Sequence, residues 1–248
     1  MINHSVVASR STGFGYVCRR CSRCCWHKNI QLNPYEAARL ARAKGESTAQ
    51  FRIAWTVDGR GTTLRQKDDG SCVFLGPEGC TVHADRPLVC RLYPLGRHVS
   101  ADGSETYSIL EGHPQSAGEF TNRGTIAEYL TAQGAMPFLW AADAYFKWVI
   151  YAQERLGLPP DAFGSEAGGE PEGVNLLDMD EVISAHCASS GEAERTDLYQ
   201  RMRLHLQLLY EAIANVEVDD VKDDSKQERE KIGGARRFIT DGAVARRL

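Results

Sequence analysis

The stretch YVCRRCSRCCWHK, residues 16–28, puts four thiols into eight residues: Cys18, Cys21, Cys24 and Cys25. Three more follow as Cys72, Cys80 and Cys90, so seven of the eight cysteines fall within 73 residues. Thiolates grouped this way can close disulfides, attack a substrate or hold a soft metal. Tetrahedral zinc and iron–sulfur centres both take such ligands. If residues 18–25 are helical, Cys18, Cys21 and Cys25 share one face at offsets of three and four. Adjacent Cys24 and Cys25 do not easily aim at one metal, so one of them is left for another site or a second role. Cys187 stands alone and reads as a small buried hydrophobe.

The second group of thiols sits among short extended pieces separated by the turns DDGS and GPEG. Cys72 and Cys80 each follow a glycine-containing turn, where tight backbone geometry aims a side chain inward. Arg86 and Arg91 flank Cys90, and guanidinium groups there would offset the negative charge of a thiolate centre.

Several elements must position these residues. Asn33-Pro34 caps a helix PYEAARLARAK ending at Gly45, and a second helix follows from Ser47. RHVSADGSETYSIL reads as a hairpin around ADGS. Helices are expected over residues 124–133 and 137–155. The aromatics of the second (Phe138, Trp140, Tyr145, Phe146, Trp148 and Tyr151) are read as core rather than as a cofactor pocket. Residues 156–174, rich in Gly, Pro and Glu, read as a linker. Asp178 and Glu181 form a capping pair, and a long helix from residue 192 carries a stripe of Leu198, Met202, Leu206, Leu209 and Ile213. Residues 217–248 read as a charged, flexible tail. The fold class expected is α+β: a small cysteine-rich metal-binding core, residues 14–118, with short strands and helices, followed by a mainly helical C-terminal half over residues 119–216.

Composition sets exclusions. A chain of 248 residues can bury a core without disulfide staples, and a net charge of −4 disfavours binding nucleic acid through a basic face. No secretory signal opens the chain, and the most apolar segment is broken by Asp143 and Lys147, so no membrane span is expected. The expected location is the cytoplasm, where thiols stay reduced and clustered cysteines point to metal or redox chemistry. No phosphate-binding glycine loop, GxSxG elbow or convincing S-adenosylmethionine segment is present, which leaves enzymatic activity undecided.

Taken in order, CRRCSRCC, CVFL, GCTVH and RPLVCRLYP resemble the YkgJ family of cysteine-cluster proteins, also called the CxxCxxCC domain, over roughly residues 14–118. The resemblance implies zinc or iron chelation, often labelled iron–sulfur, by Cys18, Cys21, Cys24, Cys25, Cys72, Cys80 and Cys90. It is also similar to the cysteine-rich part of FliB, the flagellin lysine methylase, an enzymatic precedent. The chain departs from the family where a further CPG motif is common: EGHPQSAGEF places His113 at that position. Imidazole replaces thiolate at zinc and less often at iron–sulfur centres. With His113 the ligands number eight, enough for two four-coordinate sites or for one cluster plus a zinc. His27 and His83 read as structural.

The expected function is a cytosolic metal-binding protein whose thiolates hold an iron–sulfur cluster, of 4Fe–4S type, for redox or electron-transfer chemistry. The alternatives are a structural zinc module for protein interaction, or a metal-dependent enzyme that modifies a protein or peptide with a spare thiolate from Cys24 or Cys25. The partner expected is a protein, as partner or substrate, and not a nucleic acid or membrane. Oligomeric state is left open.

Overall fold

The computed structural model describes residues 8–100, 102–158 and 175–216. The linker expected at 156–174 falls mostly, and the tail expected at 217–248 entirely, outside the described residues. The architecture is α+β, with seven α-helices and three two-stranded antiparallel sheets among the described residues. They separate into two compact units: residues up to 32 with 55–140, and residues 33–54 with those beyond 140.

The first unit carries all seven clustered cysteines. Strand β1 (Gly13–Val17) leads into the first cysteine segment and pairs with β6 (Glu119–Thr125). Strands β2 (Leu75–Gly76) and β3 (Gly79–Cys80) form a minimal hairpin around Pro77 and Glu78. The short helix α3 (Leu88–Leu92) carries Cys90. Strands β4 (Leu95–Val99) and β5 (Glu105–Ile109) form the hairpin expected around ADGS. Helix α4 (Ile126–Ala132) starts at a full capping box between Thr125 and Glu128, worth about 1 kcal/mol.

The second unit is helical. It contains α1 (Pro34–Lys44), α2 (Thr48–Trp55) up to its last residue, α6 (Met179–Ser190), α7 (Leu198–Ala214) and most of α5 (Met136–Leu156). The α1 boundaries are the expected ones. Asn33 and Glu36 form a capping box, Pro34 occupies the first turn, and Gly45 closes the helix at φ 71°. Helix α1 packs against α6 and α7. In α5, Phe138, Tyr145 and Trp148 are buried, whereas Trp140 and Phe146 are exposed. The aromatic helix is therefore core along one face. Cys187 is buried on α6.

Two local expectations are corrected. Residues 18–25 are not one helix: only a 3₁₀ turn at Arg23–Cys25 forms, after left-handed backbone at Arg20 (φ 53°) and Ser22 (φ 59°). Cys18, Cys21 and Cys25 therefore do not share a helical face. The last helix begins at Leu198, not at 192, because Asp197 caps it by accepting from the Gln200 N–H (2.9 Å). Residues 192–197 supply one apolar side chain, Ala193, and it is exposed.

Candidate metal centre

The backbone joins the two cysteine segments. The Cys72 N–H donates to the Cys25 carbonyl (2.8 Å), the His27 N–H donates to the Gly70 carbonyl (2.8 Å), and Trp26 bridges Ser71. Residues 47 positions apart in sequence thus lie side by side. Gly70, in the DDGS turn at φ 82°, is required twice: its backbone is left-handed, and a Cβ there would lie 2.2 Å from His27 Cε1. The turn is further fixed by Asp69, whose carboxylate accepts from the Ser71 N–H (2.9 Å). His27 is accordingly a packing residue over that glycine.

Five thiols are electrostatic neighbours. Cys25 senses Cys24, Cys90 and Cys80, while Cys72 senses Cys80 and Cys24. All five of these residues are half-buried. Burial pushes the Cys72 and Cys80 thiols up. The Cys25 thiol donates to the Cys24 sulfur. That hydrogen bond draws Cys24 down to about 7 and drives Cys25 up, so the pair loses its first proton readily and its second with difficulty. Three cations face this group: Arg86 acts on Cys24 and Cys80, Lys28 on Cys24, and Lys67 on Cys72.

Cys18 and Cys21 stand apart from these five by exposure. Cys21 lies against the 116–117 loop, where its sulfur is 3.8 Å from Ser116 Oγ and accepts from the Ala117 N–H (3.4 Å). Its thiol is drawn down, chiefly by the Arg23 backbone N–H. Both Cys18 and Cys21 act on the phenol of Tyr16, which bonds Ser116 Oγ at 3.2 Å. No sequence motif marks Tyr16, Ser116, Lys28 or Lys67. Lys28 and Lys67 act on cysteines four and five residues away, whereas Ser116 reaches Tyr16 and Cys21 across about a hundred residues.

His113 lies exposed on the same loop as Ser116. Its backbone N–H donates to Tyr93 Oη (2.9 Å), and its ring Nδ1 accepts from the Gln115 N–H (3.1 Å). With Nδ1 accepting, the proton of the neutral ring lies on Nε2, so in this arrangement neither ring nitrogen offers a metal a free lone pair. His83 Nδ1 sits 3.3 Å from the Arg86 guanidinium, and burial together with that cation lowers its pKa. It therefore sits beside a fixed cation.

The two arginines beside Cys90 divide their roles. Arg86 faces the thiols while holding the His83 carbonyl (2.7 Å) and Gln133 Oε1 (2.8 Å). Arg91 is buried instead in the frame. It donates to the carbonyls of Arg86 (3.0 Å), Gln133 (2.9 Å) and Ala84 (2.5 Å), and its guanidinium lies 4.0 Å from the Phe138 ring centroid. Its charge is spent on backbone carbonyls.

Among the described residues, no three His, Cys, Asp or Glu side chains form a group positioned to hold a metal ion. The thiols are neighbours without being closed on one point. Their chemistry nevertheless fits a soft metal: five half-buried sulfurs, burial that disfavours their unpaired charge, and three flanking cations that favour a net-negative centre.

A family model, CxxCxxCC, described as "Putative zinc- or iron-chelating domain", matches residues 17–111, less than half of the chain. No curated protein and no solved structure matches this chain.

Proposed function

We propose, taking residues 17–111 as a CxxCxxCC metal-binding domain, that this protein holds an iron–sulfur cluster through its half-buried thiolates and serves redox or electron-transfer chemistry. The observation that carries the reading is the electrostatic grouping of Cys24, Cys25, Cys72, Cys80 and Cys90 beside Arg86, Lys28 and Lys67. Imidazoles are poorly placed to complete a mixed site: His27 packs over Gly70, His83 sits against Arg86, and His113 already accepts at Nδ1 from the Gln115 N–H. All-thiolate ligation suits a 4Fe–4S cluster, which when bound supplies one-electron transfer.

The chain's own residues have defined parts in this reading. The Cys25–Cys72 backbone bond aligns the two ligand segments. Arg86 and the two lysines offset the thiolate charge and favour the deprotonated sulfurs that binding requires. The hydrogen bond from Cys25 lowers the Cys24 pKa, which favours the thiolate that binding requires. The metal domain so proposed spans residues 14–118 apart from the α1–α2 segment, and a reducing compartment such as the cytoplasm would keep its thiols available.

Anaerobic purification followed by iron, acid-labile sulfide and zinc analysis tests the reading. The expected result is brown protein with broad absorption at about 400 nm and roughly four irons and four sulfides per chain. Colourless protein with stoichiometric zinc would overturn it in favour of a structural zinc module.

A further inference from the structure

The cysteine unit has a cleft of about 400 Å³ that opens beside Cys21, between the Arg20–Ser22 turn and the β2–β3 hairpin. Its lining includes Arg20, Trp26, Pro77 and Glu78. Arg20 is exposed, and among the described residues it pairs with no carboxylate. The cations near the thiols are otherwise spoken for. Arg86, Lys28 and Lys67 act on the sulfurs, Arg91 holds backbone carbonyls, and Arg19 bonds Glu119 at 3.0 Å. Arg23, one position past the lining residue Ser22, is also exposed and meets no carboxylate. The segment from Tyr16 to Lys28 therefore carries four cations and no acid in a chain whose net charge is −4.

We propose that this cleft docks an acidic polypeptide segment of a partner protein, with a partner carboxylate on the Arg20 guanidinium and partner side chains against Trp26 and Pro77. The inference deepens the metal-centre reading, because the partner would meet the protein next to exposed Cys21. Charge complementarity selects the occupant: exposed Arg20 and Arg23 together outweigh Glu78 on the facing wall, so the cleft attracts anions and steers their approach. A polypeptide fits better than a nucleic acid, since Glu78 lines the cleft and Glu119 neutralises Arg19. Those carboxylates interrupt the continuous basic track that a phosphate backbone needs. The left-handed backbone at Arg20 and Gly79 (φ 53° and 101°) fixes both walls of the cleft.

Fluorescence anisotropy of the full, metal-loaded chain with labelled octaglutamate, octalysine and oligothymidine tests the proposal. Octaglutamate should bind saturably and weaken as salt rises, and the other two should not bind. Arg20→Glu should weaken octaglutamate about tenfold and Glu78→Lys should tighten it several-fold, both at unchanged metal content. An unchanged far-ultraviolet circular dichroism spectrum and Tm of Glu78→Lys distinguish this tightening from misfolding. No saturable octaglutamate binding, equal affinity in both variants, or tighter binding of oligothymidine would overturn the proposal. Iron and zinc analysis of the same samples judges the metal-centre reading separately, since a chain without metal that still bound octaglutamate would sink that reading alone.

Discussion

The helical unit and the cysteine unit are held by different means. In the helical unit, Leu40, Phe51, Trp148, Met179, Ile183, Met202 and Leu209 are almost fully enclosed. Two of its buried polar side chains, His205 and Asp178, hold specific partners. His205 lies between Tyr145 Oη (2.8 Å to Nδ1) and the Leu176 carbonyl (2.9 Å from Nε2), and Asp178 accepts from both Thr48 Oγ1 and the Glu181 N–H. The cysteine unit builds on strands of two to seven residues and leaves five of its sulfurs half-buried and those of Cys18 and Cys21 exposed. Both units bury apolar side chains (Tyr107, Ile126 and Leu130 in the cysteine unit), but only the cysteine unit also carries a group of half-buried thiols. It keeps these soft donor atoms where their unpaired charge is unfavourable, an arrangement that a bound cation turns into stability.

Stripping the metal with a chelator should break the comparison most strongly. Hydrogen exchange is expected to lose protection around Cys25, Cys72 and Cys90 while α6 and α7 keep theirs. Equal loss in both units would show that they do not differ as argued. Cys72→Ser or Cys80→Ser should abolish stoichiometric metal, whereas Cys187→Ser, buried on α6, should leave metal content unchanged. Elemental analysis of the three variants decides this.

Acid should act on the helical unit by a separate route from its effect on the thiolates. Burial lowers the His205 pKa from about 6.5 to about 4, so the unfolded chain binds a proton in that window that the folded chain does not. Stability is then complete above pH 6.5 and falls as pH drops toward 4, by about 3 kcal/mol at most. His205→Gln should flatten this segment of a plot of Tm against pH.

Smaller effects sharpen the account. Gly70→Ala forces a Cβ into His27 and strains a left-handed position, which should cost about 2 kcal/mol in denaturant unfolding of the metal-bound form. His113→Ala should change metal content least of all the candidate ligands, because its Nδ1 is already engaged by Gln115 and its ring is exposed.

What the sequence made legible was local. Asn33-Pro34 with Glu36, Asp178 and Gly45 write helix ends in single side chains and backbone freedom, and the α1 and α6 boundaries follow them. The ADGS hairpin and the buried face of α5 were legible for the same reason: turn chemistry and periodicity act over a few residues. The four motifs around the cysteines likewise pointed to the metal-chelating domain matched at residues 17–111. The path of residues 18–25 was not legible, since positive φ at Arg20 and Ser22 is unusual for those residue types and no glycine announces it. Nor was the grouping of residues 33–54 with helices more than a hundred residues away, which depends on long-range pairs such as Thr48–Asp178. Arg86 and Arg91 look alike in sequence. Only the carbonyls of Ala84 and Gln133 around Arg91 separate a frame residue from one that faces sulfur.

The central claim, that the half-buried thiols of both cysteine segments hold one metal centre, is tested most directly by mapping cysteine alkylation in the metal-loaded and chelator-stripped chain. The account predicts protection of Cys72, Cys80, Cys90 and at least one of Cys24 and Cys25 while metal is bound, with labelling once it is removed. Equal labelling of these residues in both states would contradict it.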